Sequence, residues 1–270
     1  MNKTIDINDL KRIQVELLDA LDDYCNKLEL TYYLAYGTLI GAIRHKGYIP
    51  WDDDVDVLMP RADYDFFIRA FNEKNYYPDI SVLAYENDKD YYLSYAKLVR
   101  VNTVMKEETT SDYEIGVNID IFPLDDLGDD YIKAEKIMRK AFRYNQILML
   151  KNMTLNKNRK LYKNIVIAVG RTMTLLFTRG YLINKINSLH LDNKADGKYK
   201  GLLTGLYSKS ECQILKAKWF AESTRASFEG KEYNVPAGYD EVLHAQYGDY
   251  MTPPPTNQQI THHAFKAWYK

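Results

Sequence analysis

Two short apolar runs constrain this chain more than any other feature. VDVLM at residues 55–59 and VNIDIF at 117–122 both read as β-strands, and both carry a carboxylate among valines and isoleucines. Residues two apart in a strand face the same side, roughly 6.5–7 Å apart along the chain. Asp54 and Asp56 therefore project together while Val55 and Val57 turn to the core. Asp120 is the single acid among Val117, Ile119, Ile121 and Phe122. A carboxylate in such company is costly unless it is paired or bound to a cation. If the two strands are neighbours, three carboxylates converge on one spot. Oxygen ligands of this kind suit Mg²⁺, with Mn²⁺ as a substitute, and leave part of the ion's shell for waters or substrate phosphates. Two such ions roughly 3.5–4 Å apart would clamp a phosphoryl group.

The surrounding pattern predicts an α+β fold. An amphipathic helix, capped by Asn8, runs through Leu10, Ile13, Leu17, Leu21, Tyr24, Cys25 and Leu28. TYYLAY (31–36) reads as a buried strand ending at Gly37-Thr38, LIGAIRH as a short helix, and KGYIPW (46–51) as a loop. After VDVLM, stopped by Pro60, ADYDFFIRAFNEK (62–74) reads as a helix with Phe66, Ile68, Ala70 and Phe71 mostly inward. ISVLAY (80–85), SYAKLVR (94–100) and VNIDIF are further strands, which implies a sheet with helices against it. Residues 131–152 form a long basic helix, FEGKEYNVP (228–236) a hairpin, and YDEVLHAQYG (239–248) a helix closed by Gly248. The expected organisation is a single catalytic domain over 1–270. Its core spans about 24–130, followed by a basic helical region (about 131–205) and a C-terminal hairpin–helix segment (about 206–270).

Charge sharpens this division. The formal net charge of −1 argues against a nucleic-acid binder. Yet residues 51–130 hold 20 Asp/Glu against 7 Lys/Arg, and residues 151–200 hold 11 Lys/Arg against 2 Asp/Glu. The apolar stretch 164–183 is broken by Arg171 and Arg179, too short for the roughly 20 apolar residues a membrane span needs. Region 150–185 has two readings: a buried helical lobe, or a peripheral membrane contact whose Lys/Arg face rests on anionic lipid. The second would place the protein on the inner face of the membrane. The two cysteines, Cys25 and Cys212, are too few for a disulfide framework, and the N-terminus lacks a signal-peptide pattern. Both observations predict a cytoplasmic protein.

Gly37-Thr38 adds the second half of a site. A Gly-Thr turn between strand and helix brings backbone N–H groups and a hydroxyl to a phosphate. YGTLIGAIRHKGYIPWDDDVDVLMPR (36–61), followed by IDIFPLDD, resembles the LicD family. The similarity continues through YAKLVRVNT (95–103) and FEGKEYNVPAGYDEVLHAQYGDYMTPPP (228–255). The resemblance implies a nucleotidyltransferase-like mixed sheet flanked by helices. It also implies transfer of phosphocholine from CDP-choline to a cell-surface glycan. Gly37 and Thr38 fall on the family's Gly-Ser/Thr turn, Asp54 and Asp56 on its metal pair, and Asp120 on its third acid. The long insert RHKGYIPW departs from the wider nucleotidyltransferase pattern and argues against transfer to nucleic acid.

Other residues fit supporting roles, each beside a plainer one. Arg44, His45, Lys97 and Arg100 are the cations nearest these motifs, either neutralising a diphosphate or serving as structural and solvated charges. Asp120 is read as the third metal ligand or as the base that takes the acceptor's proton, with a structural acid paired with an arginine as its plainer role. Asp52 and Asp53 either orient the loop or touch substrate, and His262 or His263 either reaches the site or caps a helix. Among 24 tyrosines most must pack, but Tyr48, Trp51, Tyr91, Tyr92 and Tyr95 could supply an aromatic cage for a quaternary ammonium, with Trp51 favoured. The expected activity is a Mg²⁺-dependent phosphotransferase acting on a glycan or polyol-phosphate acceptor, such as a teichoic acid precursor, free or lipid-linked, with CMP released. The alternative is a nucleotidyltransferase moving NMP from an NTP. A DxD glycosyltransferase and an inactive choline-binding module are weaker rivals.

Overall fold

A computed structural model describes residues 3–73, 76–107, 111, 113–153, 155, 160–190, 197–205, 214–260 and 265–270. Helix α1 (Ile7–Leu28) runs along the core with Leu10, Leu17 and Leu21 fully buried. Each such side chain contributes roughly 1.5–3 kcal/mol through removal from water. Its cap is Asp6 rather than Asn8. The Asp6 backbone is extended and its carboxylate accepts from the amides of Asn8 and Asp9, which already lie in the first turn.

The central sheet carries β2 (Tyr33–Leu34), β3 (Asp56–Pro60), β4 (Ile80–Leu83), β5 (Ala96–Arg100) and β7 (Asn118–Gly128), in the order β2-β3-β7-β5-β4. β3 and β7 are parallel, whereas β2–β3, β5–β7 and β4–β5 are antiparallel. The sheet is mixed and the fold class is α+β, as the sequence pattern predicts. β7 is much longer than VNIDIF: it continues through PLDDLG and pairs at its far end with β8 (Tyr199–Gly201), which pairs with β9 (Leu215–Lys216). A separate small sheet joins β1 (Thr4–Ile5), β12 (Phe265–Tyr269) and β6 (Thr103–Glu107). β10 (Ser223–Phe228) and β11 (Lys231–Pro236) form a hairpin whose turn and second strand fall within the expected 228–236, while its first strand lies upstream of it.

Several expectations need correction around the acids. The strand expected at 31–36 shrinks to two residues, because Tyr36 already opens helix α2 (Tyr36–Ile40). α2 runs on into a π-helical turn, Gly41–His45. Pro60 ends β3 as its last residue instead of stopping it from outside, and Asp54 precedes the strand. Helix α3 (Arg61–Ala70) buries Tyr64, Phe67 and Ile68, while Phe66 points out at 44% exposure. A 3.6-residue period cannot bring 66 to the face that holds 64, 67 and 68.

Helix α4 (Tyr131–Asn152) matches its predicted bounds. The apolar stretch that follows divides into α5 (Leu161–Met173) and α6 (Arg179–Asn187), and α7 (Tyr239–Tyr247) ends at Gly248 with φ 69°. Among the described residues no helix is long and apolar enough to cross a membrane.

Candidate active site

The parallel pairing of β3 with β7 puts Asp56 directly opposite Asp120. Antiparallel pairing of β5 with β7 puts Lys97 on the other side of Asp120. One row across three strands therefore reads Asp56, Asp120, Lys97. The Lys97 ammonium donates to Asp120 Oδ1 at 2.5 Å and to Asn118 Oδ1 at 2.9 Å. The amide of Asp120 donates to the Val55 carbonyl at 2.9 Å, extending the ladder one residue below β3. Val55 and Val57 are buried, and Asp54 and Asp56, alternating with them, are partly buried, so the alternation read from sequence holds.

Burial holds the Asp56 carboxyl well above the usual carboxylate range. The charges of Asp54, Asp120 and Asp52 add to the shift, and Lys97 offsets part of it. Four acids thus bear on one point with a single lysine against them. Among the described residues, the three carboxylates whose oxygens draw within 4.8 Å of one another are those of Asp52, Asp53 and Asp54. That trio differs from the one expected from spacing, because the chain enters the strand from a tight turn. The Asp52 amide donates to the Ile49 carbonyl at 2.9 Å, with Pro50 pre-setting the bend and Trp51 completing it. Gln14 of α1 secures the next step, donating to the backbone carbonyls of Asp53 at 3.0 Å and Asn118 at 3.3 Å. Carboxylate oxygens crowded around Asp56 are a donor set that fits a hard divalent cation.

Gly37 and Thr38 meet this cluster from the helix side. A Cβ on Gly37 would lie 2.5 Å from an Asp52 carboxylate oxygen, so only glycine lets the acid approach the start of α2. Tyr36 immediately before it has φ 47°, a left-handed conformation unfavourable for a side chain this bulky. The Thr38 hydroxyl oxygen accepts the Asp56 amide at 2.9 Å and is buried. Thr38 thus locks α2 to β3, and its hydroxyl proton is what it can still offer a substrate.

The cations divide. Lys97 sits in the row. Arg44 lies in the π-helical turn and donates to the Tyr250 carbonyl and toward His45, both neutral groups. Burial lowers its pKa, and burial together with Arg44 lowers that of His45. Arg100 is directed elsewhere: it donates to Glu16 of α1 at 2.5 Å, because three residues along a strand reverses the face. His262 and His263 lie outside the described residues. The aromatics also divide. Tyr91 and Tyr92 pack with Val99 and Ile115 in a small core of their own. Tyr48 packs on Phe228, with its hydroxyl donating to Gln14. Trp51 stays half-buried beside His45, 6.5 Å between ring centroids.

Tyr95 packs on Phe122 at 4.4 Å and sits 5.7 Å from the Lys97 ammonium. Tyr36 meets Phe122 edge-on at 6.0 Å. Tyr36 and Phe122 were not singled out from sequence, although each lies within two residues of a motif residue. The C-terminal segment clasps the loop ahead of the acids. Glu229 accepts the Tyr48 amide at 3.0 Å and donates its own amide to the Lys46 carbonyl at 3.0 Å. Glu229 and Gly230 both have positive φ, the geometry of a two-residue hairpin turn.

A family model described as LicD/FKTN/FKRP, nucleotidyltransferase domain, matches residues 29–161, which span this entire row. Residues 29–161 are therefore a LicD-family domain. A LicD relative from Haemophilus influenzae, the lipopolysaccharide cholinephosphotransferase LicD, is 27% identical over 270 residues, covering 98% of this chain and 99% of that protein. Two uncharacterized proteins, RP689 of Rickettsia prowazekii and RT0683 of Rickettsia typhi, are 40% and 38% identical over 48 residues each. That is 18% of this chain in both cases, and 18% and 16% of theirs. The LicD match therefore covers the domain that carries the acids, and the similarity to the Haemophilus protein extends over helices and hairpin as well.

Proposed function

We propose that this protein transfers phosphocholine from CDP-choline to a hydroxyl of a surface-glycan precursor and releases CMP. The observation that carries the reading is the end-to-end similarity to a lipopolysaccharide cholinephosphotransferase. The row Asp56, Asp120, Lys97 supplies the chemistry such a transfer requires. Asp54, Asp56 and Asp120 would hold Mg²⁺, with Asp52 close by. When bound, the ion would neutralise phosphate oxygens as charge develops on them.

The protein's own groups account for the rest. Lys97 keeps one oxygen of Asp120 occupied and fixes the carboxylate; the second oxygen remains available for the metal or for the acceptor's proton. Gly37 and Thr38 would present backbone N–H groups and a hydroxyl to the diphosphate, with Lys97 and Arg44 as its cations. In the transfer the acceptor oxygen forms a bond to the choline-bearing phosphorus. The bond from that phosphorus to the CMP oxygen breaks, and the acceptor proton passes to a carboxylate. Tyr36, Tyr95 and Phe122, which pack beside the row, and Trp51 on the loop ahead of the acids would supply aromatic faces for the trimethylammonium.

The family description names a nucleotidyltransferase domain, so transfer of NMP from an NTP is the competing reading. Radiolabelled CDP-choline and labelled NTPs, each offered with a choline-free lipopolysaccharide preparation, separate the two. Label should enter the glycan from CDP-choline with release of CMP, and the Asp54→Ala/Asp56→Ala variant should give none. Label entering only from an NTP overturns the proposal.

A further inference from the structure

From Lys136 to Leu191 the chain contains twelve lysines and arginines and not one aspartate or glutamate. Helix α5 lies in the middle of this stretch, and the only residue it buries is Ile167. Its apolar residues face out: Tyr162, Ile165, Val166, Val169 and Met173 are 54–76% exposed, and Leu176 just beyond the helix is 92% exposed. These positions recur at three- and four-residue intervals, so they form one continuous stripe. Soluble monomers rarely leave an aliphatic stripe of this kind uncovered. The reading as a buried lobe therefore fails for α5, whereas α6 beside it buries Leu182, Ile183 and Ile186.

Beside the stripe lies a cleft of 480 Å³ between the end of α4 and α5, lined by Lys151, Arg171 and Arg179 with Leu155 and Leu175. Each cation is held by a neutral acceptor. Lys151 donates to the Thr174 carbonyl at 3.0 Å, Arg171 to the Met153 carbonyl at 3.3 Å, and Arg179 to the Asn152 side chain at 2.9 Å. Among the described residues none of the three has a carboxylate partner. The mutual repulsion of the three cations, added to burial, lowers the Lys151 pKa.

We propose that α5 and the adjoining cleft are a docking surface for an anionic phospholipid bilayer. The aliphatic stripe would enter the headgroup–acyl boundary, and the three cations would take lipid phosphates. Apolar and cationic groups side by side match both halves of such a surface. A second copy of the chain would bring the same positive charge to the contact, and a nucleic acid would leave the aliphatic stripe wet. At 13 residues α5 is about 20 Å long, short of a hydrocarbon core of about 30 Å, so it would lie along the interface rather than cross it. Arg179 holds Asn152, whose amide donates to the Tyr92 carbonyl at 2.8 Å. Tyr92 begins the segment that leads into Lys97, so the surface is braced against the sheet that carries the acids. The docking does not depend on which group the active site transfers.

Co-sedimentation of the full chain with vesicles tests this. Wild type should pellet with mixed phosphatidylglycerol–phosphatidylethanolamine vesicles at low salt, far less with phosphatidylcholine vesicles, and less at high salt. Lys151→Gln/Arg171→Gln/Arg179→Gln should lower partitioning to anionic vesicles by about tenfold or more. Val166→Ser/Met173→Ser/Leu176→Ser, confined to exposed positions, should weaken it while keeping the wild-type melting temperature. Equal partitioning of wild type and both variants, or of wild type to both lipids, overturns the proposal. So does a wild-type dimer that vesicles fail to compete away and that the serine variant converts to monomer.

Discussion

Asp56 is the residue on which the electrostatics of the site converge. Its carboxyl is held above its ordinary range by burial and by three neighbouring acids. An acid whose pKa is raised by folding binds its proton more tightly in the native state. Its contribution is therefore fully present below the unfolded carboxylate pKa and is lost as pH rises through the raised native value. Without divalent cation, the Asp56→Asn variant should become more stable relative to wild type as pH rises from the ordinary carboxylate range through that value. At the acid end the two should melt together. Parallel melting curves across the whole range would show that the acids around Asp56 are already compensated. Added Mg²⁺ should shrink the gap by supplying wild type with the missing charge.

At the scale of elements, β7 does more than its sequence announces. Its first half bears Asn118 and Asp120 at the acids. Its second half buries Asp125, which accepts from Arg61 at the start of α3 at 2.7 Å and from the Leu203 amide at 3.3 Å. One Arg61 guanidinium nitrogen, Nη2, is buried with no hydrogen-bond partner among the described residues, so the pair has little to spare. Asp125→Ala should cost about 3–5 kcal/mol in urea denaturation, because it strands a buried guanidinium. Arg61→Met/Asp125→Leu should recover most of that loss.

Asp125 follows Pro123 and Leu124, and proline inside a strand reads as a stop, which is why the second half of β7 was illegible. The same local logic worked where one face alone decided. β3, β5, α4 and the β10–β11 hairpin follow from apolar period and turn residues. β6 and β12 were missed because Thr103–Glu107 and Phe265–Tyr269 pair across about 160 residues of sequence in a small separate sheet, a pairing that no local window contains. At the site, the Asp54–Asp56 alternation and the Asp120 pairing were legible. The direction of Arg100 toward Glu16 and the joining of Tyr36 to Phe122 depend on α1 and on sheet order, which no local window contains.

Over the whole molecule, charge is sorted by task. Among the acids of residues 51–130, Asp52, Asp54, Asp56 and Asp120 crowd one end of the sheet, and the cations of 136–191 lie on helices farther along the chain. Such sorting leaves both halves in need of a partner of opposite sign, and the two partners should be separable. If a divalent cation binds the acidic row only in the native state, it must stabilise the entire chain by mass action. At about a hundredfold excess over its dissociation constant that amounts to about 2.7 kcal/mol. For a chain of this size the gain corresponds to a rise in melting temperature of roughly 5–10 °C. Mg²⁺ or Mn²⁺ should produce this rise in wild type and in the Lys151→Gln/Arg171→Gln/Arg179→Gln variant alike. Asp54→Ala/Asp56→Ala should abolish it. An undiminished rise in the double alanine variant would move the ion to another site and remove the acidic row from the chemistry. A rise lost in the glutamine variant would mean that the basic helices and the sheet act as one electrostatic unit.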